Sequence, residues 1–381
     1  MDNNHLIFDF QSSTPCSTKV VEEMAPYWNE LWGNPSNNNR AGVYASAAVE
    51  VSREKIASYL NINPKRLIFT SGATEANNLG LVGHARAKAQ QVGKPGHIIT
   101  VSTEHHAVLD PLRQLQKEGF SLSELKPNKD GLINIEKLSE AVEKDTFLVS
   151  VMAANNEIGV LQPISEIGYF CNRKGIAFHT DAAQALGYLD LDPDKLRIDL
   201  MSLSAHKIYG PKGIGALVIR EGLPLEPSQY GGGQELGLRS GTLPVPLIVG
   251  FAKAVEITNN DQAERNKRLL FLRNLLLSGL KKNISKLIVN GSIDQRLPHN
   301  LNITFPGVKG SQLHGQLRKF IFCTSGSACS NGEASHVLQE IGLCKKDAEA
   351  SIRMSIGRNT TEKDIKKAIE IITNIVINLR E

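Results

Sequence analysis

Cysteine is scarce in this sequence, and none of it is spaced for a metal. Cys16, Cys171, Cys323, Cys329 and Cys344 are odd in number, and no two stand as Cys-x-x-Cys. A disulfide framework and an intrinsic zinc site are therefore not expected. In a reducing compartment most such thiols are buried or idle, and a single one can serve as a nucleophile. Long apolar runs are also missing: none reaches the ~18 residues of a membrane span. Charge of one sign has no surplus to speak of. Lys and Arg total 43 against 39 Asp and Glu, a net +4, too small and too scattered to call for nucleic acid or anionic lipid. The first residues, MDNNHLIFDF, lack the basic region and long apolar core of a signal peptide. These absences together predict a cytoplasmic chain. No GxxxxGK[ST] phosphate loop, internal repeat, low-complexity tract or coiled coil is present either.

What is present is the composition of a soluble globular protein, 41% hydrophobic and 22% charged. A chain of 381 residues exceeds one ordinary core, so two domains are expected. Through the first two thirds, strand-like runs alternate with helix-like segments. RLIFTSG (66–72) reads as a strand into a turn, 73–91 as a helix ended by Gly93, and 97–102 as a strand. A helix closed by Gly119 follows. TFLVSVMAANN, GIAFHTDAA and DLMSLSAHK are three more apolar runs that stop at polar residues. Such alternation predicts an α/β fold with a large, doubly wound, mostly parallel sheet. Ligands of such sheets bind beyond the carboxyl ends of the strands. Thr70-Ser71-Gly72, Asn155-Asn156, Asp181 and Ser204-Ala205-His206-Lys207 end these runs and should line one crevice. Around 257–262 a polar stretch breaks the pattern, and a charged helix, two strand-like runs and a terminal helix from about Glu362 follow. The expected division is a large domain over 15–257. A smaller α+β domain is expected from 1–14 with 258–381.

The chemistry of the crevice follows from its residue types. Lys207 stands between an apolar approach and a glycine-rich exit, SLSAHKIYGPKGIGAL. It is either a residue of a polar turn or an amine kept for attack on a carbonyl, which partial burial favours. Ser71 to Thr74 turn the chain just before a helix. Its exposed N–H groups and dipole suit an anion, and Thr74 adds a hydroxyl, unless the helix is merely capped there. Asp181 ends an apolar strand, either as a helix cap or as partner to a cation such as a protonated pyridine nitrogen. Gln184, one helical turn on, can present its amide to the same ligand. His105 offers a flat ring for stacking and an acid or base near neutrality, whereas His106 reads as a surface residue. Cys329 lies among small polar residues in TSGSACSNGEASH, as a mobile nucleophile requires, although an incidental loop cysteine has the same look. Cys323, beside KFIF, reads as a strand-end core thiol. Arg353, in an apolar setting, calls for a carboxylate, either an internal one or that of a substrate. An amine, an anion cradle, a carboxylate, a stacking ring and an arginine in one crevice are the parts needed to use pyridoxal phosphate (PLP) on an amino acid.

The motifs FDFQSSTP, NNEIGVLQPI, HTDAAQALG, SAHKIYGPKGIGAL, GGGQELGLRSGTLPV, SGSACS and SIRMSIGR resemble those of cysteine desulfurases of the IscS/NifS type. These are class V members of the PLP-dependent transferase fold, the aspartate aminotransferase-like architecture. The resemblance spans nearly the whole chain. It implies removal of sulfur from L-cysteine with release of L-alanine. Lys207 would carry PLP, His105 would stack on it, Asp181 would pair with its nitrogen and Gln184 would reach its hydroxyl. Ala73, Thr74, Ser204 and His206 would hold the phosphate, and Thr242 of RSGT would reach the phosphate of a partner subunit in a homodimer. Asn156 would touch the cofactor and, with Arg353, the substrate carboxylate. Cys329 would take the sulfur as a persulfide, and with a scaffold partner it could transiently ligate an Fe–S cluster. A sulfur-acceptor protein is the implied partner, with no direct contact to nucleic acid or membrane. There are three departures from the family: NPSNNNRAG lacks a histidine, the stretch after Cys329 is about two residues short, and the chain stops at INLRE. They leave open the destination of the sulfur: Fe–S assembly, tRNA thiolation or DNA phosphorothioation. The alternative is a class V selenocysteine or cystine lyase, or an aminotransferase, that does not use the thiol. Cys329 argues against it, and an intact Lys207, Asp181 and His105 argue against an idle scaffold.

Overall fold

The apolar runs pair side by side because each has two faces to bury. The computed structural model describes residues 5–324 and 334–381. Among them the strands are, in chain order, β1 Leu6–Ile7, β2 Leu67–Thr70, β3 His97–Val101, β4 Ser121–Leu125, β5 Thr146–Ser150 and β6 Ala177–Asp181. β7 Leu200–Ser204, β8 Gly215–Ile219, β9 Ile288–Val289, β10 Asn300–Thr304, β11 Ile321–Phe322 and β12 Ser351–Ser355 follow. Seven form one sheet in the order β2-β8-β7-β6-β5-β3-β4. β8 runs antiparallel to both its neighbours and the other pairings are parallel. Side chains alternate across this sheet. Ile98, Leu148 and Ala177 join one apolar layer, and Ile99, Val149 and Phe178 join the other. Helix Ala73–Val92 packs over β6, β7 and β8.

A second apolar core gathers Leu6 and Phe8 from the start of the chain with Leu269, Leu301, Phe305, Ile352 and Ile372 from its end. It is built on the antiparallel sheet β12-β10-β9 and on helix Glu362–Asn378. Parallel pairing of β1 with β11 ties the first residues to this unit.

The polar stretch near 257–262 does not end a segment, contrary to the sequence reading. Helix Val245–Asn283 runs through it without interruption. Before the stretch, Phe251 and Val255 belong to the large core; after it, Leu269 and Leu272 belong to the small one. The helix turns polar where it passes from the large core to the small one. Backbone hydrogen bonding within the helix needs no side-chain partner there.

Candidate active site

At the carboxyl ends of the parallel strands lies a crevice of about 540 Å³. Its first wall is the turn after β2. Gly72 has φ +153° and ψ −178°, a region open in practice only to glycine, and among the described residues no side chain caps helix Ala73–Val92. The first N–H groups of that helix have no partner inside the helix, and Ala73 and Thr74 line the crevice. A side-chain cap, the alternative reading of this turn, is not formed among the described residues.

β6 ends in Asp181, 7% exposed. One carboxylate oxygen accepts from Asn77 Nδ2 at 2.7 Å, and the other accepts from the Ala183 N–H at 2.9 Å. A turn rather than a regular helix follows, so the carboxylate is not a helix cap. β7 ends in Ser204, and a single helical turn, Ala205–Lys207, brings Lys207 to the crevice. Its Nζ donates to the carbonyl oxygens of Gln11 at 2.7 Å and Ser12 at 2.9 Å. The turn is stitched to the start of the chain. Thr14 N–H and hydroxyl both donate to His206 O, and Thr14 Oγ1 accepts from the Tyr209 N–H at 2.8 Å. Tyr209 sits at φ +66°, and this pairing holds it there.

Two histidines in the crevice are kept neutral. Burial, helped by Lys207 and Lys212, pushes His206 down to about 4. Burial also lowers His105, aided by Lys207 and His106 against the pull of Asp181. His105 caps helix His106–Lys117, and its Nδ1 accepts from the Ala107 N–H at 3.0 Å. The neutral ring therefore carries its proton on Nε2.

The small unit contributes Arg353 from β12, 2% exposed. Nη1 donates to Asn156 O at 2.8 Å, and Nη2 donates to Asp9 Oδ1 at 2.8 Å and to Ser12 Oγ. Arg353 thus has the internal carboxylate that was one of its two alternatives, and it also lines the crevice. Its Nε, and Asn156 Oδ1, are buried without a partner among the described residues. Gln184 also lines the crevice, with Nε2 on Gln11 O at 3.0 Å.

Ala73, Thr74, His105, Asn156, Asp181, Gln184, Ser204, His206, Lys207 and Arg353 thus share one crevice. Thr242 does not; it is exposed and lines no part of its own chain's crevice. Cys329 lies outside the described residues. Further along the chain, Ser335 Oγ donates to Glu157 Oε2, and Glu157 lines the crevice. Cys323 is a half-buried thiol, pushed up to about 12 by loss of solvent around it. Sequence reasoning missed Gln11, Ser12, Ser13, Glu157 and His336, all of which line the crevice. The small polar run QSSTP straight after an apolar strand was the signal for the first three; nothing local marks Glu157 or His336.

The model of the family described as aminotransferase class V matches residues 6–368. The chain is 46% identical over 99% of its length to "Cysteine desulfurase IscS" of Dechloromonas aromatica (strain RCB), covering 93% of that protein. Among solved structures it superposes on a "NifS-like protein" with a TM-score of 0.91 at 36% identity, covering 98% of this chain and 100% of the other. It also superposes on "SspA in complex with cysteine", with a TM-score of 0.81 at 38% identity, covering 92% and 98%. The chain belongs to the class V aminotransferase family and has its PLP-dependent transferase fold. Pyridoxal phosphate is the cofactor of that family, and the crevice suits it. The start of helix Ala73–Val92 lines it, and so does the buried Asp181 carboxylate, held by Asn77 and Ala183.

Proposed function

We propose that this chain is a PLP-dependent cysteine desulfurase, which removes sulfur from L-cysteine, releases L-alanine and carries the sulfur on Cys329. The observation that carries this reading is the meeting of Lys207, Asp181, His105 and Arg353 around one crevice in a chain 46% identical to a curated cysteine desulfurase. Bound PLP supplies an electron sink for the bonds at the substrate α-carbon. Lys207 anchors the cofactor through its amine. Asp181, fixed by Asn77 and Ala183, keeps a proton on the ring nitrogen. His105 stacks on the ring with its proton on Nε2. Ala73, Thr74, Ser204 and His206 hold the phosphate. Gln184 reaches the ring hydroxyl, and Asn156 and Arg353 orient the substrate carboxylate. The Cys329 thiolate attacks the substrate sulfur. A sulfur–sulfur bond forms and the carbon–sulfur bond breaks; the carbon keeps the electron pair, takes a proton and leaves as L-alanine. The persulfide then passes its sulfur to an acceptor protein, for Fe–S assembly, tRNA thiolation or DNA phosphorothioation. Lys207→Ala should lose the yellow chromophore of lysine-bound PLP and all alanine release; wild-type turnover in that variant ends the assignment.

The working form is a homodimer in the cytoplasm, with 15–257 as the large domain and 1–14 with 258–381 as the small one. Exposed apolar groups support the dimer: Trp28, Trp32, Tyr230 and Leu236 are 61%, 74%, 80% and 71% exposed. So does the exposure of Thr242, which is free to serve a partner's phosphate site. Sedimentation at micromolar concentration should give twice 41.6 kDa; a monomer that retains all its PLP contradicts the dimer. No disulfide joins the four cysteines among the described residues, which suits a reducing compartment. Expression with localisation of a tagged chain checks the compartment, and recovery in an exported fraction rejects it.

A further inference from the structure

Gln11 is among the most enclosed polar side chains that line the crevice, 1% exposed. All but one of its polar groups are engaged. Its N–H donates to Ser355 Oγ at 2.8 Å. Its carbonyl accepts from Lys207 Nζ at 2.7 Å and Gln184 Nε2 at 3.0 Å. Its Oε1 accepts from Asn300 Nδ2 at 2.6 Å. Only Nε2 is buried without a partner among the described residues.

The orientation of this amide is forced. Arg296 has only donors, so the Asn300 atom that meets its Nη1 at 3.0 Å is Oδ1. Asn300 Nδ2 then meets two acceptors, Glu157 O at 3.1 Å and Gln11. Gln11 therefore presents Oε1 to Asn300, and its NH2 is left over on the other side. A buried donor without an acceptor is unfavourable unless something else supplies one. Arg353 repeats the pattern. Both its Nη atoms are engaged, one of them on Ser12, the next residue after Gln11, while its buried Nε has no partner among the described residues. Two unfilled donors, one of them cationic, call for an anion with two acceptor oxygens.

We propose that Gln11 Nε2 donates to the α-carboxylate of the amino-acid substrate beside Arg353, so that Gln11 selects amino acids over simple amines. The proposal rests on the desulfurase reading above. It gives one residue two tasks: its backbone carbonyl holds Lys207, and its side chain recognises what Lys207 is to meet.

The test is equilibrium binding to the full-length, PLP-loaded enzyme, read as the shift in its absorption spectrum. The probes are L-alanine and ethylamine, which lacks the carboxylate. Gln11→Met keeps the length and removes the donor. It should raise the Kd for L-alanine about tenfold, the loss of one charge-assisted hydrogen bond, and leave ethylamine within about twofold. Gln11→Glu keeps an oxygen toward Asn300 and places a second where the NH2 was. It should weaken L-alanine more than Gln11→Met does, again sparing ethylamine. Unchanged L-alanine binding in both variants, or an equal loss for both probes, overturns the proposal. Loss of PLP from both variants overturns it too, because Gln11 would then be a structural prop. If the wild type makes no alanine from L-cysteine while the carboxylate selectivity of Gln11 holds, the desulfurase reading fails and this assignment stands.

Discussion

Asp181 is held by an arrangement that tolerates one particular exchange. Asn77 uses its NH2 on the carboxylate and leaves its own Oδ1 buried without a partner among the described residues. In Asp181→Asn the Asn77 amide can turn over and offer that oxygen to the new NH2. The fold should therefore survive, and only the charge facing the crevice is lost. The cofactor nitrogen would then lose the anion that keeps it protonated. Alanine release should fall by roughly two orders of magnitude or more, the scale of a lost electrostatic stabiliser, with the unfolding midpoint nearly unchanged. Steady-state rates beside a urea titration check both halves. Full activity in the variant would reduce Asp181 to a turn-stabilising residue.

At the scale of elements, the segment that carries Thr242 is tied down by a buried ion pair. Arg53, on helix Arg40–Tyr59, meets Glu235 through Nη2 at 2.7 Å and Nη1 at 3.0 Å. Glu235 also accepts from the Phe69 N–H of β2 at 2.6 Å. Glu235 and Leu236 stand at φ +50° and +58°, a cost that these contacts hold in place. Glu235→Gln leaves Arg53 buried with only the more exposed Glu50 for charge. We expect a loss of about 3 kcal/mol in unfolding free energy, the usual result of breaking a buried pair. We also expect faster PLP release, since the Thr242 segment loosens. Denaturant titration and the rate of cofactor loss on dilution read the two effects. A change under about 0.5 kcal/mol would mean that Glu50 takes over.

Across the whole molecule, buried neutral histidines set the response to acid. His179, in the centre of the sheet between Ser150 and Ser202, is pushed down to about 3 by burial, and His299 likewise. An unfolded histidine titrates near 6.5. Between about pH 3 and 6.5 the unfolded chain therefore binds the extra proton, so stability rises with pH there and is lost as pH falls. Each such histidine contributes a slope of about 1.4 kcal/mol per pH unit. His179→Gln should flatten the dependence of unfolding free energy on pH by that amount between pH 4.5 and 6. Parallel slopes for variant and wild type would show that His179 is charged in the folded protein.

What the sequence determined by itself was the period and the punctuation. Apolar runs ending in Thr70, Asp181 and Ser204 define strands whose ends must share one rim, because parallel strands place their carboxyl ends together. That rule brought Gly72, Asp181 and Lys207 to one crevice from the sequence alone. A polar stretch, by contrast, cannot say whether a helix ends or only changes the core it packs on, and near 257–262 it only changes core. The tertiary structure alone decided the partners. Gln11 meets Lys207 from 196 residues away and Asn300 from 289, and Ser335 reaches Glu157 across 178. Contacts of this kind leave no periodic trace, because the pairing depends on how two cores sit on one crevice and not on the spacing of residues along either strand.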